Sequence, residues 1–164
     1  MKKILFVATV QSHIMNFHIP YLKHWQNNGY EVHVATKMDK EKYKNLDNSI
    51  SRVVWHDIDF SRNPISKNTI KALCQLVSLM HGTRYSLVHV HTPVGGIIGR
   101  LAAKITNTKN VVYTAHGFHF YEGAPLKNWV MYYPMEKIMA KCTDAIITMN
   151  EEDYELAKNK LRLE

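Results

Sequence analysis

The sequence predicts an α/β protein: a mostly parallel, doubly wound sheet with helices on both faces. Apolar, β-branched runs alternate along the chain with longer segments of helical period, which is the pattern of βαβ units joined by right-handed crossovers. The runs are near-continuously apolar, as strands covered on both faces must be. A length of 164 residues with 46% apolar residues suits one globular domain with a real core.

The elements follow in order. Ile4–Ala8 is the first expected strand, and Phe17–Asn28 the first helix, ended by Gly29. Glu31–Ala35 is the second strand, followed by a charged helix from about Asp39, and Arg52–His56 is the third. Ser66 is placed to cap a helix running to about His81, whose Ile70, Leu73, Leu76, Val77 and Met80 recur on one face. Leu87–His91, Asn110–Ala115 and Ala145–Met149 are further strands, separated by helices near Gly95–Ile105 and Leu126–Lys141. Pro134 should kink or split the second of these. A last helix begins near Glu151.

Charge bounds the partners. Lys and Arg number 21 and Asp and Glu 14, a net charge of +7. A basic excess suits nucleic acid, an anionic membrane surface or phosphorylated substrates, and does not choose among them. The densest stretch, Lys37–Lys44, interleaves lysines with Asp39 and Glu41 and reads as a solvated helix face. Cys74 and Cys142 form neither a disulfide framework nor a zinc spacing, so a reducing cytoplasm is expected. Met1-Lys2-Lys3 and the apolar run behind it imitate a signal peptide, but Gln11-Ser12-His13 follows in place of a small-residue cleavage site. No apolar run approaches the roughly 20 residues of a membrane span.

In open α/β sheets ligands collect at the carboxyl ends of the strands. His13 follows the first strand, His89 and His91 close the fourth, and His116 and His119 follow the fifth. Imidazoles with near-neutral pKa, able to donate or accept hydrogen bonds, therefore gather along one sheet edge. His116 stands out because Tyr113-Thr114-Ala115-His116-Gly117 puts it at a strand end beside a flexible glycine. His18, His24, His33, His56 and His81 are expected only to satisfy local polar groups.

Other chemistries fit less well. No glycine occurs in Thr9–His13, and Thr36 stands where an acidic ribose-binding group would follow the second strand, so NAD is not expected. Gly95-Gly96-Ile97-Ile98-Gly99 fits either close helix–sheet packing or a phosphate at a helix N-terminus. Asp57-Ile58-Asp59 has a form suited to a hard cation, but turn formation explains it as well. Neither histidine pair has a cysteine or carboxylate at ligand spacing, so no metal is expected.

Beyond these readings, Val112–Pro125, with Thr114-Ala115-His116-Gly117-Phe118-His119 at its centre, resembles a segment of bacterial family-4 glycosyltransferases of capsule and exopolysaccharide synthesis. Tyr132–Lys137, Thr143–Tyr154, Ile4–Pro20 and His89-Val90-His91-Thr92-Pro93 are similar to the same family. The resemblance implies a GT-B architecture, two Rossmann-like domains facing across a cleft, of which this chain is the acceptor-side amino-terminal half. It implies retaining, metal-independent transfer without a cofactor. A sugar would pass from a nucleotide-sugar donor to a polyprenyl-diphosphate-linked saccharide. His116 is the implied catalytic residue. Gln11, Ser12 and His13, in a loop after the first strand, are the implied substrate-binding residues with His91, Thr92, Gly117, His119 and Glu122.

The resemblance also implies that the donor-binding half is missing. The family's second half carries a spaced pair of glutamates, and no Glu here has another eight positions on. Residues 1–162 are thus expected to form the acceptor-side domain and to be inactive alone, with Leu163-Glu164 reading as a cloning scar. The expected partners are the donor, the lipid-linked acceptor and an anionic membrane surface, not nucleic acid. The expected location is the cytoplasm, peripheral to the inner face of the cell membrane. Two alternatives stay open: a stand-alone acceptor-binding module for a separate catalytic partner, and a sugar-nucleotide epimerase of related fold.

Overall fold

A computed structural model describes residues 1–39, 41–42, 50, 52–61 and 66–161. Most of the charged helix expected from Asp39, part of the Lys37–Lys44 stretch and residues 162–164 lie outside the described residues.

Six parallel strands form one sheet: β1 (Lys3–Val10), β2 (Glu31–Lys37), β3 (Val54–Asp57), β4 (Leu87–His91), β5 (Val111–Ala115) and β6 (Ala145–Thr148). Their spatial order is β3-β2-β1-β4-β5-β6, the order of the doubly wound Rossmann fold. The direction of winding reverses between β1 and β4, so a crevice opens beyond their carboxyl ends. Helices α1 (Gln11–Phe17) and α2 (Ile19–Asn27) cover one face, against Ile4, Phe6 and Ala8 of β1 and Val32 and Val34 of β2. Helices α3 (Lys67–Gly82), α4 (Pro93–Ile105) and α5 (Leu126–Ala140) cover the other, against Leu5, Val7, Val88 and Val90. Alternate residues of β1 therefore enter different cores, and both are apolar because both faces are covered. The chain closes with α6 (Glu151–Leu156) and a π-helical turn, Ala157–Leu161.

Ser66 caps α3 as its position implies, accepting a hydrogen bond from the Thr69 backbone N–H. Asn150 does the same for α6 through the Asp153 N–H. Two expectations are corrected. The chain does not loop after β1: Gln11, Ser12 and His13 form the first turn of an additional helix, α1, and the helix expected over Phe17–Asn28 stands as α2 beyond a hinge at His18. Pro134 does not split α5, which runs through it.

The glycines of α4 serve packing. A Cβ on Gly96 would lie 2.8 Å from the Tyr113 ring, and one on Gly99 2.6 Å from Val90 Cγ1. One on Gly95 would meet Thr92 Oγ1 at 2.7 Å and the Thr9 backbone nitrogen at 2.9 Å. Helix α4 thus lies directly on β1, β4 and β5, and only hydrogen fits at these positions. Beneath it Arg100, with no exposed surface, donates from Nη2 to Glu136 Oε2 of α5 at 2.8 Å and from Nε to the Gly96 carbonyl at 2.9 Å. Its guanidinium stacks 4.0 Å from the Tyr113 ring centre.

Candidate active site at the carboxyl edge of the sheet

Four histidines converge at the crevice: His13 in α1, His18 between α1 and α2, His91 at the end of β4 and His116 just after β5. The sheet brings them together because β4 lies between β1 and β5. His13 Nε2 and His116 Nε2 share a hydrogen bond at 3.2 Å, with their rings edge to face. His91 is fully buried, its ring stacked on Phe6 and packed against His18 at a centroid distance of 3.9 Å. His18 is buried too. Sequence reasoning missed it: a histidine five residues beyond His13 falls on no helical stripe, and the hinge between α1 and α2 is what turns it inward.

Burial governs the electrostatics. It pulls His13 and His89 down to about 4 and His18 to about 3, with neighbouring imidazoles adding repulsion. His91 is driven further in the same direction, and His116 is lowered by burial. At neutral pH the cluster is a set of uncharged imidazoles, able to hydrogen-bond hydroxyl groups or to ligate a metal, and not a cationic phosphate clamp.

The other expected site residues divide. Thr92 enters α4 with φ of 64° and ψ of 152°, a conformation costly for a β-branched residue. Its hydroxyl accepts from the Thr9 N–H at 3.0 Å, bonds Thr9 Oγ1 at 2.8 Å and donates to the His91 carbonyl. Thr9 Oγ1 in turn accepts from the Gly95 N–H at 3.0 Å. This knot ties β1 to the start of α4 and fixes the backbone from which His91 projects. Gly117, at φ 127°, turns the chain away after His116 where a side chain would be strained. Gln11 is buried and accepts from the Asp39 N–H at 2.8 Å, while Ser12 is half-buried.

His119 and Glu122 stand apart from the cluster. His119 packs on Tyr132 at 4.6 Å and lines an apolar recess with Pro93, Ile97, Phe118 and Met135. Glu122 is exposed, and its backbone N–H donates to Glu152. His89 points along the sheet to Thr114 Oγ1 at 2.8 Å.

Elsewhere, His33 and His56 form a separate group with Glu31 and Tyr85. Asp59 is held by Lys71 and Gln75, and Asp57 accepts from the Met38 N–H. The D-x-D form is thus occupied with local bonds.

Two structural likenesses bear on the fold. An enzyme of Listeria monocytogenes described as a UDP-N-acetylglucosamine 2-epimerase superposes with a TM-score of 0.67 at 12% identity, over 98% of this chain and 43% of its own. Sucrose-phosphate synthase of Thermosynechococcus elongatus gives 0.64 at 15% identity, over 98% and 45%. At that identity they bear on architecture alone, and they show the Rossmann-like fold of one half of a two-domain GT-B molecule. Sequence likeness is more specific. EpsD of Bacillus subtilis (strain 168), which carries the name of a glycosyltransferase, is 45% identical over 163 residues, 98% of this chain and 41% of its own. An Escherichia coli enzyme named UDP-Gal:alpha-D-GlcNAc-diphosphoundecaprenol alpha-1,3-galactosyltransferase is 35% identical over 92 residues, 56% of this chain and 24% of its own. The chain thus spans at most about two fifths of the length of these curated relatives. The Glycosyl transferase 4-like family matches residues 3–150, and the chain belongs to that family.

Proposed function

We propose that this chain is the acceptor-side domain of a retaining glycosyltransferase of surface polysaccharide synthesis, which moves a sugar from a nucleotide-sugar to a polyprenyl-diphosphate-linked saccharide. The observation that carries the reading is the meeting of His13, His91 and His116 at the switch point of the sheet, in a chain of this family. The acceptor named for the E. coli relative, a sugar on diphosphoundecaprenol, supports the substrate class.

In this reading His116 and His13 hold hydroxyl groups. A ring kept neutral by burial is a weak base, so these histidines orient the attacking hydroxyl and the transferred sugar and leave neutralisation of the departing diphosphate to a donor-binding domain. Orientation of this kind is worth up to roughly 7–11 kcal/mol of barrier. Thr92 and Gly117 place the two histidine-bearing segments, and Gln11 and Ser12 anchor the start of α1. His119 and Glu122 lie outside the cluster and border the acceptor's further sugars. The isolated chain has no turnover in this reading, because it binds only one partner.

In this reading α5 supplies the membrane face. Leu126, Val130, Met131, Met135 and Ile138 are all exposed on it, among Lys127, Lys137 and Lys141. Apolar insertion flanked by lysines suits an anionic bilayer surface, where a lipid-linked acceptor resides. Among the described residues no helix is long and apolar enough to cross a membrane.

Binding of a short-prenyl, diphosphate-linked saccharide to the chain tests the proposal. The imidazole resonances of His13 and His116 should shift on titration, and His116→Ala should weaken binding about tenfold, the worth of one good hydrogen bond. Saturable binding that leaves both resonances unmoved would refute it.

A further inference from the structure

The four imidazoles at the sheet edge hold a chemistry that sugar binding leaves unused. One ligand nitrogen from each of His13, His18, His91 and His116 lies within 4.8 Å of the other three. His18 and His91 are only 5% and 0% exposed, and none of their four ring nitrogens has a hydrogen-bond partner among the described residues. Burying unpaired polar atoms is unfavourable. The neighbouring rings do not relieve it, since His13 and His116 bond each other. We propose that this cluster binds one divalent transition-metal ion of the zinc class.

The donor set selects the ion. Imidazole nitrogen suits zinc and its first-row neighbours, whereas magnesium and calcium require oxygen ligands and soft ions prefer thiolates. No carboxylate or cysteine belongs to the set. Zn–N bonds of about 2.0–2.1 Å place tetrahedral ligand atoms about 3.3 Å apart. The Nε2 atoms of His13 and His116 already stand 3.2 Å apart, and the remaining pairs, within 4.8 Å, must close further on binding.

The second nitrogens of His18 and His91 lack the carboxylate or carbonyl partner that strengthens such sites about 10–100-fold. Affinity in the micromolar range is therefore expected. Helix α1 and its hinge supply two ligands and the strand ends the other two, so spacing within any one segment could not reveal the set. An ion here engages the same imidazoles that would hold a saccharide, so metal and acceptor compete. That consequence rests on the acceptor reading; metal binding itself does not.

The test uses the 164-residue chain, stripped with EDTA and exchanged into metal-free buffer at neutral pH. Zn²⁺ is titrated in competition with a chromophoric chelator, and Co²⁺ is added separately as a spectroscopic probe. One equivalent of Zn²⁺ should bind, and Co²⁺ should give the intense visible bands of tetrahedral coordination without thiolate charge transfer. His13→Ala and His116→Ala, at the more accessible positions, should each weaken binding about tenfold or more. His24→Ala and His81→Ala should leave it unchanged. No saturable uptake, uptake undiminished in the His13→Ala/His116→Ala double variant, or charge-transfer bands from Cys74 or Cys142 would each overturn the proposal.

Discussion

His13 and His116 are 103 residues apart in sequence, yet their Nε2 atoms share a hydrogen bond of 3.2 Å. With both rings neutral, one Nε2 must carry a proton and the other must not. The ring that donates then has a bare Nδ1, and the ring that accepts has a protonated Nδ1. The pair therefore offers a ligand one acceptor and one donor, the complement of a sugar hydroxyl.

That complementarity sets the first expectation. In an active transferase containing this chain, His116→Ala should lower turnover about 10²-fold or more if the ring supports charge developing in the transition state. His13→Ala should follow it, because it removes the partner that fixes the tautomer of His116. The double variant should be little worse than either single one, since residues acting as a unit are not additive. His81→Ala, at an exposed position near the end of α3, should be near normal. Steady-state kinetics on all four separate a catalytic contact from loop packing: near-normal turnover of His116→Ala would leave packing alone.

The sheet and the histidine edge were legible in the sequence because parallel strands announce themselves as apolar runs and their carboxyl ends fall on one side. His13, His91 and His116 followed from that rule. The start of α1 was not legible: its N-cap is Val10, which makes no side-chain cap bond, so the usual start signal is missing. Without α1 there is no hinge, and without the hinge His18 has no reason to point inward. Arg100 and Glu136 were hidden for another reason. Charged residues are read as surface by default, and only the glycine face of α4 draws its helix close enough to bury the pair.

The Arg100–Glu136 pair gives a stability expectation. Arg100 is fully buried and Glu136 nearly so, with Tyr113 beside them. Glu136→Ala leaves a buried guanidinium without its counter-charge, which costs about 3–5 kcal/mol. Replacing both partners with apolar residues, Arg100→Met with Glu136→Leu, should cost far less. Urea denaturation of the single and double variants checks this. Equal destabilisation in both would mean that packing volume, not charge, governs the site.

Acid should weaken the metal-free fold through the histidine cluster. His13, His18 and His89 have folded-state pKa values of about 4, 3 and 4 against the usual 6.5. The unfolded chain therefore binds more protons than the folded one below about pH 6.5. Stability should be flat above about pH 7 and fall as pH drops from 6.5 towards 4. Each buried ring contributes up to roughly 1.4 kcal/mol per pH unit, so a loss on the order of 2–4 kcal/mol is expected by pH 5.5. Denaturation curves in chelator-containing buffer measure it, and His18→Gln should make the slope shallower. A stability constant from pH 7 to 5 would show that these rings protonate as easily in the fold as outside it.

The face proposed to meet a bilayer is the exposed side of α5. Its apolar residues include Leu126 at 77% and Val130 at 68% exposure, and the net charge of the chain is +7. The two features act differently. Each lysine near an anionic surface adds about 1 kcal/mol, and salt screens it. Inserted apolar side chains gain from leaving water, and salt does not remove that gain. Co-sedimentation with anionic vesicles should therefore fall with added salt but keep a resistant fraction, with neutral vesicles bound weakly. Val130→Glu with Met131→Glu should remove the resistant fraction while preserving the fold, because both side chains are exposed. Lys127→Glu with Lys141→Glu should remove mainly the salt-sensitive part. If neither pair changes binding, α5 is not the face that touches lipid. Equal retention on single-stranded nucleic acid would mean that the charge does not distinguish a membrane from any other polyanion.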